Sequence, residues 1–338
     1  MAVSEDKPQD LKIHIRGNHL TLGTDAPRGF PSLITLANTP RIDEKTSGRL
    51  QFADWITSRD NPLTTRVAVN RLWTWHFGDG LVRTPDNFGR LGDLPVHQEL
   101  LDWLAQSFLQ QGWSVKAMHK LIMNSATYQM STEANSQAEL LDSENRLFWH
   151  RQRQRLDAES FRDSLFVTSE TLDRTAGGSL LGMENRRYVT STGSRGFDGY
   201  NTSKRSVYLP VIRSSGYEPF QAFDFPDPSV TMGRRAVTNI PAQSLLLMNG
   251  KLVQDQTRKM AEHLIRQSGD ETRKINLAYE VLFSRPPTNP EVQRAVEFLN
   301  LYQSAAQSEK VSKDQSIIMA WQGLCRSLIS TNEFVFVE

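Results

Sequence analysis

A mainly α-helical fold follows from three features of the sequence. Apolar residues recur every three to four positions over most of the chain beyond Ser47, as the buried stripe of a helix requires. Asn-Pro pairs at Asn61-Pro62 and Asn289-Pro290 supply a capping side chain and a pre-organised first helical residue. Glycines at 78, 112 and 177–178 stand where those stripes end. The expected architecture is a multi-helix domain with a short N-terminal β hairpin and an irregular middle holding one or two short strands. Residues 1–46 are read as hairpin and linker, forming the junction to an upstream domain absent from this chain. Residues 47–338 are read as the helical domain, with a secondary boundary near 240.

The elements are justified in turn. Leu11, Ile13 and Ile15 alternate with Lys12, His14 and Arg16, the period-two pattern of a half-buried strand, and Gly17-Asn18 offers a turn back into 19–23. Leu50, Ala53 and Ile56 mark a first short helix. Val69, Leu72, Trp73 and His76 form the stripe of the second, closed by Gly78. A glycine-rich loop spans Asp79 to Leu94. Leu100, Leu101, Leu104 and Phe108 define a third helix, and Ser114 caps a fourth with Val115, Met118, Leu121 and Ile122 inward. Phe161, Leu165, Thr168 and Leu172 are the inward face of the next helix, which places Glu159, Arg162, Asp163 and Glu170 outward. Residues 184–206 form a long loop, a length that is functional or disordered in most compact domains. Val207 to Ile212 reads as a short strand. Beyond Pro241 the helical stripes resume, through Val253, Met260 and Leu264, then Ile275, Ala278 and Leu282, then Val292, Val296 and Leu299, then Trp321, Leu324 and Leu328. Phe334 to Val337 is an apolar tail expected to dock.

Composition excludes several classes. The 338 residues carry 39 Lys+Arg and 38 Asp+Glu, a net charge of +1, so no overall field draws the chain to nucleic acid. One cysteine forbids an internal disulfide framework, a thiolate zinc site and a haem attached through paired cysteines. No stretch reaches the ~18 apolar residues of a membrane span, and the N-terminus lacks a signal peptide's apolar core. The expectation is a soluble chain with no cofactor of its own, no metal, and neither nucleic acid nor a membrane as partner.

Two clusters carry chemistry. Asn70, Arg71, His76, Arg83, Asp86 and Asn87 fall within one turn-rich stretch, where His76 offers a base near neutral pH and Asp86 an orienting carboxylate. Against this, His76 shares the core stripe of its helix, and Asp86-Asn87 after Pro85 suits a turn. The second cluster is the basic, aromatic middle: Arg186, Arg187, Arg195, Lys204, Arg205, Arg213, Arg234 and Arg235, interleaved with Tyr188, Phe197, Tyr200, Tyr208, Tyr217, Phe220, Phe223 and Phe225. Guanidinium groups and aromatic faces suit anionic or sugar-ring ligands; equally, these arginines can pair with Asp198, Glu218, Asp224 and Asp227. His97 and His119 lack ligand spacing. Asp157 suits a helix cap rather than a glycosidase acid. No nucleophile elbow, phosphate loop or dinucleotide fingerprint is present, and Cys325 is read as a buried small hydrophobe.

Many blocks recur in the order of a known family. They include Asp60-Asn61-Pro62-Leu63-Thr64, Val69-Asn70-Arg71-Leu72-Trp73, Thr84-Pro85-Asp86-Asn87-Phe88-Gly89, Arg155-Leu156-Asp157-Ala158-Glu159, Phe223-Asp224-Phe225-Pro226-Asp227-Pro228 and Ser330-Thr331-Asn332-Glu333-Phe334. From about Ser47 onward the chain resembles the planctomycete-type domain of unknown function fifteen-fifty-three. That resemblance implies no established activity. It implies the carboxy-terminal part of a large secreted or periplasmic, cytochrome-associated protein, with an extracytoplasmic role in handling polysaccharide. The combined expectation is a binding module for a partner domain or an anionic glycan, through Asn70, Arg71, Arg83, Asn87, Arg205, Arg213, Asp224, Arg234 and Arg235. The alternative is a polysaccharide hydrolase or lyase, with His76 as base and Asp86 orienting it or holding a metal.

Overall fold

Thirteen α-helices and two short antiparallel strand pairs are formed by the described residues of a computed structural model, which are 4, 6–34, 36, 38–178, 180–181, 198–212 and 216–337. The chain divides into two compact units, 1–152 and 153–338. The mainly helical expectation holds.

In the first unit, strand β1 (Leu11–His14) pairs with β2 (Leu22–Ala26) in the register Leu11↔Ala26 and His14↔Leu22. The turn uses left-handed backbone at Arg16 and Gly17. The strand was expected to be half-buried, yet Leu11, Ile13, Ile15 and Leu22 are all exposed. A lone two-stranded ribbon has no layer to cover either face. Helix α1 (Arg49–Thr57) likewise buries Trp55 rather than Leu50, Ala53 or Ile56, because Trp55 stacks with Phe30 at 5.4 Å and Phe52 at 6.1 Å. Asn61 caps as expected: its Oδ1 accepts from the amides of Leu63 and Thr64 at 3.0 and 3.3 Å, and α2 (Thr64–Phe77) follows. Helix α3 (Gln98–Gln110) and α4 (Val115–Met123, capped by Ser114) complete a core of Val69, Leu72, Trp73, Phe77, Leu101, Leu104, Phe108, Met118 and Ile122. Val115 lies outside that core, exposed at the helix start. Helix α5 (Ser136–Leu141) buries nothing and shows no apolar stripe.

In the second unit, α6 (Ala158–Thr168) is capped by Asp157, whose Oδ1 accepts from the Ser160 amide at 2.7 Å. Then follow α7 (Glu218–Ala222), α8 (Pro241–Asn249), α9 (Lys251–Arg266), α10 (Glu271–Phe283), α11 (Asn289–Ser308), α12 (Lys313–Ile329) and α13 (Asn332–Val335). Their shared core includes Phe161, Leu165, Val253, Met260, Leu264, Ile275, Leu299 and Cys325. Burial pushes the Cys325 thiol up to about 12, so it is the inert hydrophobe expected. The apolar tail docks: Phe334 and Val335 are buried, and β3 (Gln154–Arg155) pairs with β4 (Phe336–Val337). Arg285 clamps α11 and α13 to the end of α10, meeting Glu291 at 2.8 Å and Glu333 at 2.6 Å.

Two expectations fail here. Residues 207–212 form no strand; a single 3₁₀ turn occupies Ser206–Tyr208, with the amides of Tyr208 and Leu209 bonded to the carbonyls of Arg205 and Ser206. Local turns satisfy that backbone, and Pro210 removes a donor a strand would need. Arg162 does not face outward but is fully buried.

Candidate functional site

The sequence-selected residues of the first unit form a buttressed loop. Asn70, on the buried face of α2, donates Nδ2–H to the Val82 carbonyl at 2.9 Å and accepts from the Val82 amide at 2.8 Å. This two-way bond does the work of a strand partner for the loop. It also explains Gly80, where a Cβ would lie 2.8 Å from both Asn70 amide atoms. Replacing Asn70 by Ala would leave two buried backbone groups unpaired, at roughly 1–3 kcal/mol each. Arg83 bonds Glu144 at 2.7 Å and Asp79 at 3.4 Å, pinning the loop to the turn that seats Phe148 in the core. Asn87 closes an Asx turn onto the Gly89 amide at 3.1 Å, and a Cβ on Gly92 would overlap the Asn87 carbonyl. Arg71 and Asp86 are exposed and lie 3.7 Å apart, a loose surface pair worth little. His76 is half-buried at the end of α2, with Nε2 2.7 Å from Nδ1 of His119 on α4 and its ring edge-on to Tyr128. The Arg151 guanidinium covers Tyr128 from 4.1 Å. Burial, then the adjacent His119 and Arg151, hold the His76 pKa below its ordinary value. Nothing in the spacing of residues 76 and 119 signals that pairing.

In the second unit the arginines are largely committed to the fold. Arg155 meets Asp224 at 2.6 Å and bonds the Thr238 carbonyl. Asp224 also accepts from the Thr238 amide and hydroxyl, each at 2.8 Å. Burial resists its ionisation most, but the bonds from Thr238 and Arg155 together outweigh that and hold the carboxyl below its usual range. Arg235 forks onto Glu159 at 2.6 and 2.8 Å, and lies over Phe225. Arg162 donates to the carbonyls of Thr202 and Lys204 and stands 4.5 Å over Phe166, while Asp163 accepts from the Ser206 amide at 2.8 Å. Together they lash the 202–206 segment to α6. Arg205 is exposed, with no side-chain partner among the described residues; Arg234 is exposed as well. Arg213, Arg186, Arg187, Arg195, Tyr188 and Phe197 lie outside the described residues.

That frame leaves an open cleft of about 480 Å³. Its aromatic lining is a ladder, with Tyr200 stacked on Tyr217 at 4.7 Å, Tyr217 edge-on to Phe220 at 5.1 Å and Phe220 stacked on Phe225 at 4.9 Å. Pro210, Pro226 and Pro228 stiffen the rim, and Gln221 and Asp227 bring polar groups to it. Phe223, flagged with the other aromatics, instead belongs to the core, stacked on Phe161 at 4.3 Å. Gln221 and Asp227 were missed as cleft residues; Gln221 sits on the short helix α7, which carries no stripe, and Asp227 is placed by the bend after it, where Asp224 adopts left-handed backbone and the Phe225 amide bonds back to the Phe220 carbonyl at 3.0 Å.

No group of three or more His, Cys, Asp or Glu side chains able to hold a metal occurs among the described residues, and no helix among them is long and apolar enough to cross a membrane. Fold and site define a mainly α protein whose second unit carries an aromatic-lined cleft. The chain belongs to the PSD1 family, described as protein of unknown function (DUF1553), whose family model matches residues 48–299. No curated protein and no solved structure matches the chain.

Proposed function

We propose that the second unit is a carbohydrate-binding module, and that the cleft lined by Tyr200, Tyr217 and Phe225 receives a segment of a glycan chain. The observation that carries this reading is the run of aromatic rings along one cleft. Sugar C–H bonds carry partial positive charge and pack on the negative face of an aromatic ring, while hydroxyls at the ring edge need donors and acceptors. Gln221 provides both and Asp227 accepts. A volume of about 480 Å³ suits a short oligosaccharide segment. A proline-rich peptide is a poorer occupant, because its backbone presents carbonyl acceptors, which a carboxylate repels.

Isothermal titration calorimetry of the full chain against a panel of oligosaccharides tests the reading. Binding is expected at about 10 µM to 1 mM, roughly −7 to −4 kcal/mol. Tyr217→Ala weakens it at least about tenfold, equivalent to about 1.4 kcal/mol. A panel without any binding partner, or a Tyr217→Ala variant that is folded and binds like wild type, contradicts it. Release of shortened oligosaccharides during incubation would favour the hydrolytic alternative through His76 and Asp86 in the first unit.

A further inference from the structure

We infer that Asp227 makes the cleft selective for uncharged sugar chains over sulfated or uronic ones. This rests on the carbohydrate reading above and adds the ligand's charge to it.

Asp227 lines the cleft and is exposed. One of its oxygens, Oδ1, accepts from the Ser229 amide at 2.8 Å and from the Ser229 hydroxyl at 2.6 Å. The carboxylate is therefore fixed in orientation. Those same two bonds keep it below the usual carboxylate range, so it is fully ionised at neutral pH. A fixed anion on the rim accepts hydrogen bonds from sugar hydroxyls and repels a sulfate or carboxylate brought to the same place.

No cation among the described lining residues offsets it. The Arg235 guanidinium lies 5.6 Å from the Phe225 ring and is neutralised by its two-bond fork with Glu159. Arg155 is spent on Asp224 in the same way. Arg155 and Arg235 are thus committed to holding this region together, and among the described lining residues the Asp227 carboxylate is the charge a ligand meets. Discrimination by an introduced repulsion requires no extra attractive contact.

The test compares a neutral oligosaccharide with its sulfated counterpart of equal length, by calorimetry, on wild type and on Asp227→Asn. The substitution keeps an oxygen for Ser229 and removes the charge. Wild type is expected to bind the neutral chain at least about tenfold tighter, and the variant to narrow that ratio to within about threefold at low salt. Added salt narrows the wild-type ratio too, as screening demands. Equal or tighter wild-type binding of the sulfated chain overturns the charge selection while leaving the carbohydrate reading intact. An unchanged ratio in Asp227→Asn assigns the preference elsewhere and also overturns it. Binding of neither chain overturns both.

Discussion

His76 and Asn70 share one helix, yet their environments give them different work. Asn70 is fully buried and spends its amide on Val82. His76 faces His119 across 2.7 Å, where only one proton fits between the two nitrogens. Its depressed pKa has a definite sign for stability. A histidine that holds its proton less tightly when folded stabilises the fold fully above its unfolded value of about 6.5, and that contribution is lost as pH falls through the folded value. The urea midpoint of the wild type should therefore fall between pH 7.5 and 5.5, and fall less in His76→Gln; parallel profiles for the two proteins would contradict this. Residue roles were the part least readable beforehand. The stripe of α2 includes His76 but not Asn70, and their partners lie 43 and 12 positions away, about which periodicity carries no information.

The helices themselves were legible wherever a cap and an apolar stripe coincide. Asn61, Ser114 and Asp157 all accept from backbone amides of the helices they start, because capping depends only on neighbours within a few residues. Helices α5 and α7 escaped notice, being six and five residues long with too little length for a stripe. Arg162 was misread for an instructive reason: helical spacing classes it with Glu159 and Asp163 as a polar face, whereas the 202–206 segment folds over it and supplies carbonyls to its guanidinium. Its Nε is buried without a partner among the described residues. Removing the guanidinium leaves the Thr202 and Lys204 carbonyls without their partner, at about 1–3 kcal/mol each. Arg162→Met is expected to lose that much in denaturant unfolding, and Arg162→Lys to recover only part of it, since an ammonium lacks the planar fork. A loss under about 1 kcal/mol for the Met variant would show that the lashing of 202–206 to α6 is dispensable.

At the scale of the whole molecule, two separate hydrophobic cores organise the chain, one around Trp73 and Leu104, the other around Met260 and Trp321. The family match runs through both units. Composition foretold a helical, core-forming protein, because apolar content and spacing are global properties. It did not foretell the cleft, whose walls are set by particular ion pairs such as Arg155–Asp224 and Arg235–Glu159. Those pairs turn a basic, aromatic stretch into a rigid cradle with an acidic rim, and the account stands or falls on sugar rings resting there. Saturation-transfer NMR probes that directly: irradiating the aromatic protons of the full chain should pass magnetisation to the C–H protons of a bound neutral oligosaccharide, with the transfer abolished in Tyr217→Ala. Transfer that persists unchanged in a folded Tyr217→Ala variant, or that never reaches any oligosaccharide, would contradict it.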